Sequence, residues 1–179
     1  MKKIIFITML LSTWFIMNAQ TESGDWIVGG RLDVNTAENN TRIGINPNAG
    51  IFVANNFAVG ANFLIDYAKS GDVKSTDFGI GPFLRYYFLN GTVKPLIHAS
   101  FRYLSSKVKA PTFSSTNNGS NFLIAGGVAL FINENVAIEM LSGYSRTKYK
   151  DFDGSGGFNL GIGFQVYLTK KQLDKLKSN

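Results

Sequence analysis

The sequence predicts an all-β protein, an eight-stranded antiparallel up-and-down transmembrane β-barrel that follows a cleaved signal peptide. Three observations carry that reading. In the stretch from Gly156 to Leu168, the residues Phe158, Leu160, Ile162, Phe164, Val166 and Leu168 fall at every second position, so a pleated strand lines them along one apolar face. Its other face holds Asn159, Gly161, Gly163, Gln165 and Tyr167, small or polar groups that suit a crowded, hydrated interior rather than lipid. About eight such period-two segments follow one another with no amphipathic stretch of helix length between them. The connections between them alternate long and short, the asymmetry of a barrel whose strands cross a bilayer and return.

Length and composition agree with one domain. The chain has 179 residues, 45% of them apolar and 13% aromatic, too rich for a disordered protein. Nineteen glycines against four prolines suit β-structure with small-residue positions, and the absence of cysteine leaves backbone pairing and burial to hold the fold. Met1, Lys2 and Lys3 precede an apolar run from Ile4 to Met17 and then Asn18-Ala19-Gln20, the pattern of a secretory signal peptide over residues 1–19. About 14 apolar residues fall short of the roughly 20 that a spanning helix needs. With no cysteine after that run, lipid attachment at a processed N-terminus is excluded. Removing Lys2 and Lys3 takes the formal charge from +6 to +4. Residues 20–168 form the expected barrel, and 169–179 a short basic tail that carries Lys170, Lys171, Lys175 and Lys177 against Asp174 and reads as a solvated, frayed end. No interleaving of basic and aromatic residues suggests nucleic acid.

The strands follow in order. The first runs from about Trp26 to Val34, with Trp26, Val28, Leu32 and Val34 on one face and Arg31 and Asp33 on the other; Asp33 to Thr41, rich in Asn, reads as a loop. The second covers Arg42 to Val53, with Ile43, Ile45, Ala49, Ile51 and Val53 in phase, and Pro47 is awkward there because it cannot donate to a ladder. Asn55-Asn56 turns into the third, Phe57 to Ala68, whose inner face holds Gly60, Asn62 and Asp66. A polar loop, Lys69 to Thr76, leads to the fourth, Asp77 to Leu89, with Phe78, Ile80, Leu84, Tyr86 and Phe88 outward and Arg85 inward. Asn90-Gly91 predicts a type I′ hairpin turn, since both central positions need positive φ. The fifth strand, Thr92 to Ser105, sets Val93, Ile97, Phe101 and Tyr103 against Lys94, His98, Ser100 and Arg102. Ser106 to Ser120 reads as the longest loop. The sixth strand spans Asn121 to Ile132, and Asn133-Glu134-Asn135 turns it into the seventh, Val136 to Thr147, where Glu139 faces inward. Lys148 to Ser155 is the last loop before the closing strand.

Aromatic residues fall at matching heights. Tyr67, Phe78, Tyr103, Phe122, Tyr144 and Phe158 lie at the long-loop ends, and Trp26, Phe57, Tyr86 and Phe88 towards the short turns, as two interfacial girdles would. Closure is required in lipid, where an open edge leaves backbone groups unpaired. An even strand number returns both termini to one side. The interior of eight strands has room only for side chains, so Arg31, Asp33, Asp66, Arg85, His98, Arg102, Glu139 and Gln165 are expected to fill it. Counting from the short turns suggests two layers, Glu139 with Arg85 or Arg31 below and Arg102 with Asp66 or Asp33 above.

With these residues in place, the chain resembles the outer-membrane β-barrel domain family, the small eight-stranded OmpA/OmpX-type barrels of Gram-negative bacteria. The run Gly161-Ile162-Gly163-Phe164-Gln165-Val166-Tyr167-Leu168 is the most specific piece, and Gly79-Ile80-Gly81-Pro82-Phe83-Leu84-Arg85-Tyr86-Tyr87-Phe88 is similar to strands of such proteins. Gly163, Val166, Tyr167 and Leu168 resemble the C-terminal signal read by the barrel assembly machinery, although this chain continues to Asn179 instead of ending on an aromatic residue. The resemblance implies an outer-membrane location with periplasmic termini, a monomer in contact with outer-membrane lipids and lipopolysaccharide, and structural, adhesive or surface-interaction roles without catalysis or cofactor.

Three constellations offer other classes. His98 and Ser100 share a strand face at the spacing of outer-membrane lipid A deacylases, but Phe101 stands where those enzymes have asparagine, and parity places the pair inside the barrel. Gly24-Asp25-Trp26 is similar to the Gly-x-Trp of lipocalins, soluble ligand-binding barrels. Asp151-Phe152-Asp153-Gly154-Ser155 has the acidic look of a calcium loop without its spacing or closing Glu. A small porin is the remaining alternative. No residue is assigned a catalytic, cofactor-binding or metal-binding role.

Overall fold

The computed structural model describes residues 21–37, 40–150 and 153–177, so the signal-peptide reading of 1–19 lies outside the described residues, as do Asp151, Phe152 and the side chain of Asp33. Eight antiparallel strands close into a barrel in sequence order. They are β1 (Trp26–Ala37), β2 (Asn40–Ala54), β3 (Phe57–Ser70), β4 (Val73–Tyr87), β5 (Val93–Ala110), β6 (Phe113–Asn133), β7 (Val136–Tyr149) and β8 (Ser155–Leu168). The β1–β8 seam that completes the ring pairs from Trp26↔Leu168 to Arg31↔Gly163, and β8 above Gly163 is held from the β7 side.

The expected long loops are mostly strand. β3 and β4 meet across Gly71 and Asp72, and the stretch 106–120 forms the arms of a hairpin that zips from Tyr103↔Ser120 to Ala110↔Phe113 around Pro111 and Thr112. The reason is backbone hydrogen bonding. Ser, Thr and Asn mark a segment as solvated, but its N–H and C=O groups still need partners, and a facing strand already in register supplies them. The connections at that end are therefore tall ladders.

The short-turn end also departs from expectation. Asn90-Gly91 is not a two-residue type I′ turn: β4 stops at Tyr87, β5 starts at Val93, and the positive φ values belong to Leu89 (64°) and Gly91 (138°). Phe88 N donates to Pro95 O at 2.7 Å, but Pro95 has no N–H to return the bond, so the tight pair a narrow hairpin requires is not completed. Pro47 does lie within a strand. It pairs with Gly30 of β1, while the β2–β3 register passes from Ile45↔Ile65 to Asn48↔Asn62 without it.

The basic tail is not frayed. Residues Lys170–Lys177 form a helix, α1, whose entry is a reciprocal capping box: Gln172 N donates to Thr169 Oγ1 at 3.2 Å, and Thr169 N donates to Gln172 Oε1 at 3.0 Å. Lys170 N donates to Asp25 Oδ1 at 3.1 Å and Asn135 Nδ2 to Gln172 Oε1 at 3.1 Å, which ties α1 to the N-terminal turn and to the β6–β7 turn.

Candidate functional site

Side-chain parity sorts the molecule into an apolar outside and a polar or aromatic inside. Phe78, Ile80, Ile97, Phe122, Ile124, Ile132, Ile162 and Phe164 are among the large apolar residues that stand exposed on the outer face. Inside, each level has its own chemistry.

At the short-turn end the bore is plugged. Ile27, Phe52, Tyr87, Leu96, Phe131 and Tyr167 form one buried cluster, in which the Phe131 and Tyr167 ring centroids are 4.7 Å apart. These are the residues one place out of phase with the lipid-facing row. Lys94 is fully buried beneath them; its Nζ donates to Thr21 Oγ1 at 2.6 Å and lies 5.5 Å from the Phe131 ring centroid.

Above the plug stands a buried ion pair. Arg85 Nη1 meets both Glu139 oxygens, at 3.1 and 2.8 Å, and the Tyr87 and Tyr167 hydroxyls donate to Glu139 Oε1 at 2.8 and 2.9 Å. Arg85 Nε donates to His98 Nδ1 at 3.3 Å, and His98 stacks on Phe83 at 5.6 Å. The expected lower layer of Glu139 with Arg85 is present. The two tyrosines that complete it come from β4 and β8, strands apart in sequence.

The upper layer differs from the expected pairing of Arg102 with Asp66; the side chain of the alternative partner, Asp33, lies outside the described residues. Asp66 is held by Arg42, whose Nη2 lies 2.9 Å from Asp66 Oδ2 and whose Nε bonds both oxygens. Arg102 donates to Asn46 Oδ1 and to Asn121 Oδ1, each at 2.9 Å. Arg42 is inward by the same parity as Asn46 and lies on the strand directly beside Asp66, with Gly44 opposite the carboxylate. Adjacency across the β2–β3 ladder wins over depth.

The bore is also not filled throughout. A chamber of about 60 Å³ lies beside Asn48, Asn62, His98 and Gln165, and a larger cavity of about 720 Å³ opens above it among Arg42, Asp66, Asp77, Arg102, Asn121 and Tyr149. Upper inward positions are often glycine, and at Gly161 a Cβ would come within 2.5 Å of the Arg31 guanidinium. Small residues there leave space that aromatics take below. Asn62 Oδ1 and Gln165 Oε1, on residues at most 8% exposed, make no hydrogen bond within the protein; the chamber has room for roughly two waters at about 30 Å³ each.

The three singled-out constellations are placed as follows. His98 and Ser100 are buried in the bore, shielded from any lipid substrate. Asp25 is a buried staple that accepts from Glu22 N at 3.1 Å and from Lys170 N, and Trp26 points outward at the short-turn end instead of lining a ligand cavity. Asp153 is exposed, and no cluster of metal-ligating side chains occurs among the described residues.

A closed barrel with this sorting of apolar and polar faces is a transmembrane β-barrel, because only closure satisfies the strand edges in hydrocarbon. Its fold is that of the small eight-stranded outer-membrane barrels. Neisserial surface protein A superposes with a TM-score of 0.59 at 16% identity, covering 79% of this chain and 93% of that one. The N-terminal β-barrel domain of Pseudomonas aeruginosa OprF gives 0.56 at 12% identity, with 83% and 100% covered. Ail, the attachment invasion locus protein of Yersinia pestis, gives 0.52 at 12% identity, with 82% and 99% covered. No protein-family model and no curated protein matches the sequence.

Proposed function

We propose that the protein is an integral outer-membrane barrel with a non-enzymatic surface-interaction role, its tall hairpins on the extracellular side and both termini in the periplasm. The observation that carries this reading is the combination of a plugged lower bore with strands that continue as paired ladders past the upper girdle. A plug argues against bulk transport. Ladders of 18 and 21 residues in β5 and β6 reach well beyond the roughly 9 to 11 that a bilayer needs, and present an ordered surface ending at exposed Phe113. The strand from Gly156 to Leu168 supports delivery by the assembly machinery, and the apolar outer wall argues against a soluble lipocalin-like barrel.

Cell fractionation tests the location. The mature protein should sediment with outer membranes and migrate faster on a gel before heating than after. Protease added to intact cells should cut at the Pro111-Thr112 tip and leave α1 intact. In planar bilayers the purified protein should show no steady open pore. Recovery from the soluble periplasm would refute the reading, and regular porin-sized conductance would refute the plug.

A further inference from the structure

The upper cavity is banded. Register carries one inward row across five neighbouring strands: Leu64 is directly opposite Gly79, Gly79 opposite Leu104, Leu104 opposite Gly119, and Gly119 opposite Tyr149. Leu64, Leu104 and Tyr149 line the cavity of about 720 Å³. The two glycines let the large side chains lie along the wall. A Cβ at Gly79 would stand 2.7 Å from Leu104 Cδ2, and one at Gly119 would stand 2.7 Å from Tyr149 Cδ1.

Two residues away along each strand, on the same face, the row on either side of this apolar band is polar. Above it Asp66 is opposite Asp77, and Asp77 is opposite Ser106. Below it Arg102 is opposite Asn121, and Asn121 is opposite Thr147. Both rows are oriented by their own hydrogen bonds and keep capacity towards the cavity. Asp77 accepts from Ser75 Oγ at 3.1 Å and from Ser106 Oγ, both on Oδ1, so Oδ2 is open to a further donor. Thr147 Oγ1 accepts from Asn121 Nδ2 at 3.0 Å and retains its own proton to donate. The narrow chamber and the Arg85–Glu139 pair close the floor, and Arg42, whose side chain is 61% exposed, stands at the open mouth. The cavity is a cup.

We propose that this cup binds a neutral pyranose, the terminal residue of a glycan presented from the extracellular side. A pyranose has flat faces of C–H groups and a rim of hydroxyls, each of which both donates and accepts. Tyr149 and the two leucines match a face, since the electron-rich ring attracts C–H groups. The polar rows above and below match the hydroxyls. An inorganic ion would gain nothing from the apolar band, and charges of both signs line the cup, so neither sign of ligand is selected. The volume falls within the range of roughly 300–1,000 Å³ that small-molecule sites occupy. The inference rests on the surface-interaction reading above and names the chemistry of the partner.

The test is saturation-transfer NMR on the mature protein in phosphatidylcholine nanodiscs. The probes are the methyl glycosides of glucose, galactose and mannose, with glucuronate and glucosamine as charged counterparts. At least one methyl glycoside should bind, more tightly than either charged sugar, with transfer strongest to the ring C–H protons of one face. Asp77→Ala should weaken that binding about tenfold or more, and Tyr149→Ala should weaken it several-fold. Asp77→Asn, which keeps an acceptor oxygen, should lose less than Asp77→Ala. Gel mobility before heating shows whether each variant is folded; if neither alanine variant is, the pattern of transfer on the native protein decides. Binding of no neutral glycoside, tighter binding of a charged sugar, uniform transfer around the ring, or unchanged affinity in folded alanine variants overturns the proposal. Failure of the native protein to enter nanodiscs would instead refute the membrane reading.

Discussion

Replacing Glu139 by alanine removes the anion from a site that was built around it. Arg85 is 3% exposed, so its guanidinium cannot turn to water, and it would keep a hydrogen bond only to His98 Nδ1 and to the Tyr87 hydroxyl. The Tyr87 and Tyr167 hydroxyls lie 2.9 Å apart and can satisfy each other, which leaves the orphaned charge as the main loss. Breaking a buried pair in this way costs about 3–5 kcal/mol, whereas replacing both partners by apolar groups of similar volume is often neutral. Glu139→Ala is therefore expected to destabilise the barrel by about 3–5 kcal/mol, and Arg85→Met/Glu139→Leu by much less. Independent sites more than about 7–10 Å apart would instead add within roughly 0.5 kcal/mol. The assay is reversible urea unfolding from lipid vesicles, followed by tryptophan fluorescence, on the wild type, Glu139→Ala, the singles Arg85→Met and Glu139→Leu, and their double. A cost below about 1 kcal/mol for Glu139→Ala, or a double variant that costs the sum of the singles, would refute the orphaned-charge argument.

The same titration should separate the two faces of the wall. Ile162→Arg, on the lipid side, should cost about 2–4 kcal/mol, Leu130→Arg less because Leu130 lies close to the β6–β7 turn, and inward Asn159→Ser least. Asp25→Ala should release α1 from the barrel without unfolding the strands, since it deletes the acceptor for Lys170 N; the readout is protease cleavage within 170–177 with heat-dependent gel mobility retained. Hydrogen exchange should be faster in β8 above Gly163 than below it, because the β1–β8 pairing ends at Arg31↔Gly163; equal protection along β8 would contradict that register.

The alternation of apolar residues was enough to assign the two faces. Trp26, Phe78, Ile80, Leu84, Ile97, Phe122, Ile162 and Phe164 of the outward row are exposed, and of the expected inward set Asp66, Arg85, His98, Glu139 and Gln165 are buried while Arg31 and Arg102 are partly buried. A one-residue slip would reverse every side chain, so the pattern tolerates no ambiguity where one face meets lipid. The helix at the C-terminus also left a local signal that composition hid: Thr169-Lys170-Lys171-Gln172 has capping-box spacing, but four lysines drew the reading towards a solvated end. The hairpin arms at 106–120 were lost for a related reason, since Ser, Thr and Asn report that a segment meets water and not whether its backbone is paired.

Sequence alone determined the strand number, the parity and the sorting of apolar from polar residues, because these follow from a period of two within single segments. Tertiary structure decided what lies beside what. Which arginine holds Asp66, how Tyr87 and Tyr167 converge on Glu139, and how Leu64, Leu104 and Tyr149 come into one row depend on the register between strands and on closure of the ring. Those relations join residues far apart in the chain, and no local periodicity encodes them: register is fixed only when every strand has a neighbour on both sides and the whole outer face must meet lipid at once.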